Sequence, residues 1–395
     1  MVESTNLTAR YAPALDFERA GYATGPVTSD PFYAIDAEWD DSEPGTVFRV
    51  ESMNTSEYTL PPGVAGVRIL YQSENLNGTR TLTSGAILFP YTPLKSQDGG
   101  NAVVVWAHGT SGLYANAAPS HLRNLWQHYI GPFPLALHGY IVIMPDYSGL
   151  GVSIDGKGKP IVHEYLDYGF KAAFAVMGHS QGGGVAWSFA ERMHTHPVAG
   201  YLGSIPISPV TKILSETMPL RAVLAAGTLW GIENIFPDFD MNTILTEAGK
   251  ERMQADKALD GNAGITKTFY LGADLFVPGW KDNEYVQRFN ALVHSGGRPI
   301  AGPMLLIQGE NDPLIFFPIV RAAAEETVIY SNISHVPANW VSQRLWLDWI
   351  RDRFEGKQTE QSLKVNVVKP LRPADTYASE MNWYVGFATE YYHTP

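Results

Sequence analysis

The chain has 395 residues, of which 45 % are hydrophobic and 17 % charged, a balance that excludes disorder and allows a sizeable buried core. Lys+Arg 28 against Asp+Glu 40 leaves a formal net charge of −12, which argues against binding nucleic acid or anionic membranes. The absence of cysteine excludes disulfides, thiolate metal sites and a cysteine nucleophile together.

Residues 1–60 read as an irregular N-terminal arm rich in Pro, Asp and aromatics. Met1–Arg10 shows no basic stretch followed by an apolar run. With the missing cysteines this points to a cytoplasmic protein, secretion being the alternative if a leader has been removed. Sequons stand at Asn6, Asn54, Asn77 and Asn332. The β-rich runs Val67–Tyr71 and Thr81–Phe89 flank Asn77-Gly78, a tight-hairpin signal. Short apolar runs bounded by turn residues follow: Ala102–Trp106, Tyr140–Met144, Ala173–Met177, Gly200–Ile205 and Met304–Ile307. Such runs suit a parallel sheet covered on both faces, and all fall far short of the roughly 18 residues that span a bilayer. Val341, Leu345, Trp346, Trp349 and Ile350 recur at helical spacing. Strand–helix alternation predicts an α/β fold with a mostly parallel central sheet and flanking helices.

Between Pro209 and Gly302 this rhythm breaks. Helical patches at Ile213–Ala226, Thr243–Ala258 and Tyr285–His294 predict an inserted helical lid over residues 211–300. Its aromatics Trp230, Phe236, Phe239, Phe276 and Trp280 are expected to line a substrate pocket. The core then divides into residues 61–210 and 301–357. A tail, 358–395, carries the β-like run Leu363–Val368 and the cluster Trp383, Tyr384, Phe387, Tyr391 and Tyr392, expected to pack on the core.

The strongest chemical signal is Gly178-His179-Ser180-Gln181-Gly182, a G-x-S-x-G motif between an apolar strand and a helical stretch. In that setting the serine sits on a sharp turn with its hydroxyl presented at the strand's carboxyl end. A serine hydroxyl needs a base. Asp312 follows the run Met304–Ile307, and His335 follows Thr327–Tyr330. The order serine, acid, histidine makes Ser180, Asp312 and His335 the candidate catalytic set, with Glu310 and Asp274 as rival acids. His294 falls in the lid and His393 near the terminus. Oxyanion donors are expected from Gln181, next to the serine, and from Gly109 and Thr110, in the loop after Val103–Trp106. His108 and Asp146 read as loop-holding residues. His194-Thr195-His196, beside Pro197, reads as a helix end rather than a metal pair.

Together these stretches resemble the α/β-hydrolase fold. More narrowly, Asp30-Pro31-Phe32-Tyr33, Pro44-Gly45-Thr46-Val47, His108-Gly109-Thr110, Pro145-Asp146-Tyr147, the serine motif and His335-Val336-Pro337-Ala338 resemble the secretory, lipase A-like lipases. The resemblance spans roughly residues 30–355. It implies ester hydrolysis by Ser180, Asp312 and His335, no cofactor or metal, and a small-molecule or lipid-like ester as substrate. Acyl transfer or cyclisation on a metabolite is the alternative, and a non-catalytic binding protein a further one. The segment Lys159–Phe170 leaves little room for the helix such enzymes place before the nucleophile strand.

Overall fold

A computed structural model describes residues 12–35, 42–75, 78–154, 161, 174–214, 221–315, 318, 320, 328–359, 366–373 and 376. The segment before the nucleophile strand (162–173), Asn77 and the aromatic cluster of the tail lie outside the described residues.

A ten-stranded sheet organises the chain, in the order β1-β2-β3-β5-β4-β6-β7-β8-β9-β10. β1 (Val47–Ser52), β2 (Val64–Glu74) and β3 (Arg80–Pro90) form an antiparallel edge, and β3 also runs antiparallel to β5 (Ile141–Pro145). Every other pairing, through β4 (Val103–Ala107), β6 (Phe174–His179), β7 (Tyr201–Ile207), β8 (Ile307–Gly309), β9 (Val328–Tyr330) and β10 (Asn366–Val368), is parallel. The fold is the expected mostly parallel α/β sheet with flanking helices.

The apolar runs behave as a sheet covered on both sides requires. Val104 and Trp106 point into one core with Met177, Ile205 and Trp346, while Val105 points to the other face with Phe174, Val176 and Phe189. Helix α1 (Pro132–Leu137) leads into β5, and α2 (Gln181–Thr195) follows β6. The stripe before the tail is divided between α7 (Pro337–Val341) and α8 (Gln343–Phe354), which buries Trp346, Ile350 and Phe354. In the β2–β3 hairpin the register runs unbroken from Val64↔Pro90 to Glu74↔Arg80, and Gly78 takes φ 80° in the turn.

Two expectations change. The N-terminal arm is not wholly irregular, because β1 pairs along β2 as the exposed edge. This edge strand is largely solvent-facing, so it lacks the apolar alternation by which a half-buried strand is recognised. In the tail, the β-like run Leu363–Val368 does contain a strand, β10, parallel to β9. In the insertion the helices are α3 (Arg221–Ile235), α4 (Glu247–Leu259), α5 (Ala263–Tyr270) and α6 (Glu284–Leu292). α3 is displaced along the chain from its predicted patch and α5 was not predicted. α3 buries Ala225, Ala226, Leu229 and Ile232 along one stripe, but Val223, Leu224 and Trp230 make its other faces apolar as well, which leaves little amphipathic contrast to read.

Candidate active site

β4 lies between β5 and β6, so the chain leaves β4 toward one side for β5 and returns to the other for β6. The loops after β4 and β6 therefore meet at the carboxyl edge where the winding reverses, the place open α/β sheets bind ligands.

Ser180 occupies the single residue between β6 and α2, with φ 58° and ψ −115°. That backbone is costly for a residue with a Cβ and persists because its surroundings fix it. Ser180 N–H donates to Ile207 O at 3.0 Å, and its carbonyl accepts from Gly184 and Val210, each at 3.1 Å. The flanking glycines are sterically required. A Cβ on Gly178 would lie 2.1 Å from Gly182 O, and one on Gly182 would lie 1.9 Å from Ala107 O.

Asp312 and His335 come from the loops after β8 and β9. Both are buried. His335 Nδ1 lies 2.6 Å from Asp312 Oδ2. The remaining bonds of Asp312 hold it in place. Oδ1 accepts from the Leu314 and Ile315 amides at 2.9 and 2.8 Å, and Oδ2 from Gln308 Nε2 at 3.1 Å. The rival Glu310 is exposed and accepts from Asn332 N–H, and Asp274 is exposed in the insertion. The backbone carbonyl of His335 accepts from His179 Nε2 at 3.3 Å and Ser208 Oγ at 3.4 Å.

Ser180 and His335 line one cavity of about 140 Å³, together with Gly109, Thr110, Trp126 and His179. Its remaining wall is mostly apolar: Leu113, Val210, Leu314 and Val336, with Val223, Leu224 and Gly227 of α3 and Ala263, Thr266 and Lys267 of α5. Two helices of the insertion thus contribute to the cavity wall. Gly109 carbonyl is tied back by His108 Nδ1 at 2.7 Å and Trp126 Nε1 at 3.1 Å, and His108 stacks on Tyr147, whose hydroxyl donates to His108 O. Gln181 is the first residue of α2, at the positive end of its dipole. Burial, reinforced by the adjacent His335, pushes the His179 imidazole well below the ordinary histidine range and keeps it neutral.

The expected pocket aromatics are placed elsewhere. None of Trp230, Phe236, Phe239, Phe276 and Trp280 lines the cavity. They pack among themselves and their neighbours: Phe276 stacks on Trp280 at 4.2 Å, Phe236 and Phe239 each meet Tyr285, and Lys257 Nζ lies over Trp230. An insertion of this length must first bury its own apolar surface, and its aromatics form that core. The residues that reach the cavity instead include Trp126 and Gln127, which follow Leu125 in three successive left-handed conformations, φ 49°, 47° and 54°. The sequence offers one faint signal for this turn: Asn124, whose Oδ1 accepts from Trp126 N–H. Asp146 lies buried away from the cavity, and α2 ends at Thr195, as the His194–His196 reading requires.

No family model matches the chain. It is 22 % identical to the secreted triacylglycerol lipase LIP7 of Malassezia globosa, over 86 % of this chain and 82 % of that protein. It is 25 % identical to Lipase A of Arthroderma benhamiae, over 87 % and 83 %. Candida antarctica lipase A in its closed state superposes with a TM-score of 0.64 at 12 % identity, over 93 % of this chain and 95 % of that one. The fold is that of the α/β-hydrolases. Within that class two relatives are named secreted triacylglycerol lipases and a third Lipase A, consistent with the lipase A-like family. The cytoplasmic expectation is corrected by the same finding, since relatives named as secreted point outside the cell. A large core holds together without disulfides, so a chain free of cysteine does not require a reducing compartment.

Proposed function

We propose that the chain hydrolyses carboxylic esters through an acyl intermediate on Ser180. His335 Nε2 takes the hydroxyl proton as Ser180 Oγ attacks the ester carbonyl. The Gln181 and Thr110 amides, with Gly109 giving the loop its close approach, stabilise the oxyanion. Collapse expels the alcohol, which receives the proton from His335. Water then repeats the sequence on the acyl-serine and releases the acid. Asp312 fixes the imidazole tautomer and stabilises its charged form.

The observation that carries this reading is the 2.6 Å Asp312–His335 bond beside a strained Ser180 on the wall of the same cavity. Likeness to proteins named lipases and esterases supports hydrolysis over transfer, cyclisation or mere binding. Residues 211–300 act as the lid over this site, and the substrate is a small or lipid-like ester. A cavity near 140 Å³ suits a short acyl group, since an engineered cavity of about 150 Å³ accommodates one benzene ring.

A fluorophosphonate probe followed by peptide mapping tests the proposal. The adduct is expected on Ser180 and lost in Ser180→Ala, together with hydrolysis of p-nitrophenyl butyrate. A native protein that takes no label at Ser180 overturns it.

A further inference from the structure

Among the described residues Lys267 is the one Lys or Arg in the cavity lining, on the same face of α5 as Ala263 and Thr266. No carboxylate among the described residues lines the cavity, and no acidic side chain among them pairs with this ammonium. The nearest buried acid of the insertion, Asp256, is taken up by the Tyr114 and Tyr270 hydroxyls and by Thr266 Oγ1. Other cations of the insertion have partners: Lys250 pairs with Glu247, Lys257 lies over Trp230, and Arg288 lies over Phe236. A half-buried lysine in a mostly apolar lining, with no counter-charge among the described residues, is costly unless something supplies one.

We propose that Lys267 is a specificity-determining residue that seats an anionic group, a carboxylate carried on the substrate a few bonds from the scissile ester. The proposal rests on the ester-hydrolase reading above and narrows its substrate class to short esters bearing a negative charge. In a chain of net charge −12 the overall field disfavours such a substrate, so recognition falls to this one local cation. Burial lowers the ammonium below the ordinary lysine range, so the preference fades as pH rises through that lowered value.

The test compares kcat/KM for p-nitrophenyl butyrate with two charged probes, mono-p-nitrophenyl glutarate with its carboxylate on the acyl side and 3-butyryloxybenzoate with its carboxylate on the alcohol side. At least one charged probe is expected to be preferred over the neutral ester. Lys267→Gln should cut that charged-to-neutral ratio roughly tenfold to a hundredfold, the worth of one charge-assisted hydrogen bond, and Lys267→Arg should restore most of it. The wild-type ratio should also fall toward alkaline pH, a readout that needs no variant. Ratios unmoved by Lys267→Gln, or by pH where that variant does not fold, overturn the assignment. Failure of the parent reading is seen separately, as no fluorophosphonate label at Ser180 and no turnover of any of the three esters.

Discussion

His179 donates its Nε2–H to the main-chain carbonyl of His335 across 3.3 Å, and the two rings lie 4.5 Å apart. The residue preceding Ser180 therefore anchors the loop that carries His335. His179 is buried and neutral, so it does this without placing a second charge beside the imidazole. Removing the donor should displace His335 slightly, and small displacements of catalytic groups are expensive in rate. His179→Leu is expected to lower kcat on p-nitrophenyl butyrate roughly tenfold to a hundredfold with KM little changed. His179→Gln, which can present an amide N–H at a similar reach, should recover most of the loss. Full activity in the leucine variant would show that the bond positions nothing.

Asp312 rather than Glu310 is the carboxylate hydrogen-bonded to His335. Its Oδ1 bonds to two amides are independent of the histidine, so Asp312→Asn should remain folded. An amide cannot accept from Nδ1–H through its nitrogen and favours the wrong tautomer. A loss of roughly 10³–10⁴ in kcat is expected, with thermal unfolding close to that of the parent. Glu310→Gln, at an exposed position that reaches only the Asn332 amide, should stay within about twofold. The reverse pattern would exchange the two roles.

How far the site was legible depended on whether the chain marks it locally. Ser180 was readable because an apolar strand, glycines at fixed offsets and a helix are adjacent in sequence. Asp312 and His335 were readable because each ends a strand and the order of the three follows the fold. Trp126 and Gln127 were hidden, since a left-handed turn at Leu125–Gln127 contains no glycine to announce it. Lys267 was hidden with α5, a short helix between two loops. The aromatics of the insertion misled for a physical reason: large rings in an insertion serve its own core before they serve a ligand.

Gly227 sits inside α3 and faces the cavity, and a Cβ there would meet only Leu113, at an ordinary 3.7 Å. Gly227→Ala therefore gains helix propensity without strain, about 0.5–1 kcal/mol. The same methyl occupies part of a small cavity. The variant should unfold slightly later in a thermal scan and lose kcat/KM on p-nitrophenyl hexanoate more than on the acetate. Destabilisation, or equal losses on both esters, would show that α3 is not packed against the site in this way.

Asp146 is fully buried, its Oδ1 accepting from Ser120 N–H and its Oδ2 from the hydroxyls of Ser84 and Ser120. Burial pushes its carboxyl from 3.8 up to about 6, against the pull of those serine bonds and of Arg68. The folded state thus holds this proton more tightly than the unfolded one. Its contribution to stability is fully present below about pH 3.8 and is lost as pH rises through about 6. Buried His121 and His128, pushed down to about 4, act in the opposite sense, so the parent curve alone cannot isolate Asp146. The difference between Asp146→Asn and the parent does isolate it, because the histidine contributions cancel. Denaturant melts across pH 4–8 should show the variant gaining on the parent as pH rises, by roughly 3 kcal/mol in total, and a difference independent of pH would mean that Asp146 keeps its ordinary carboxylate pKa.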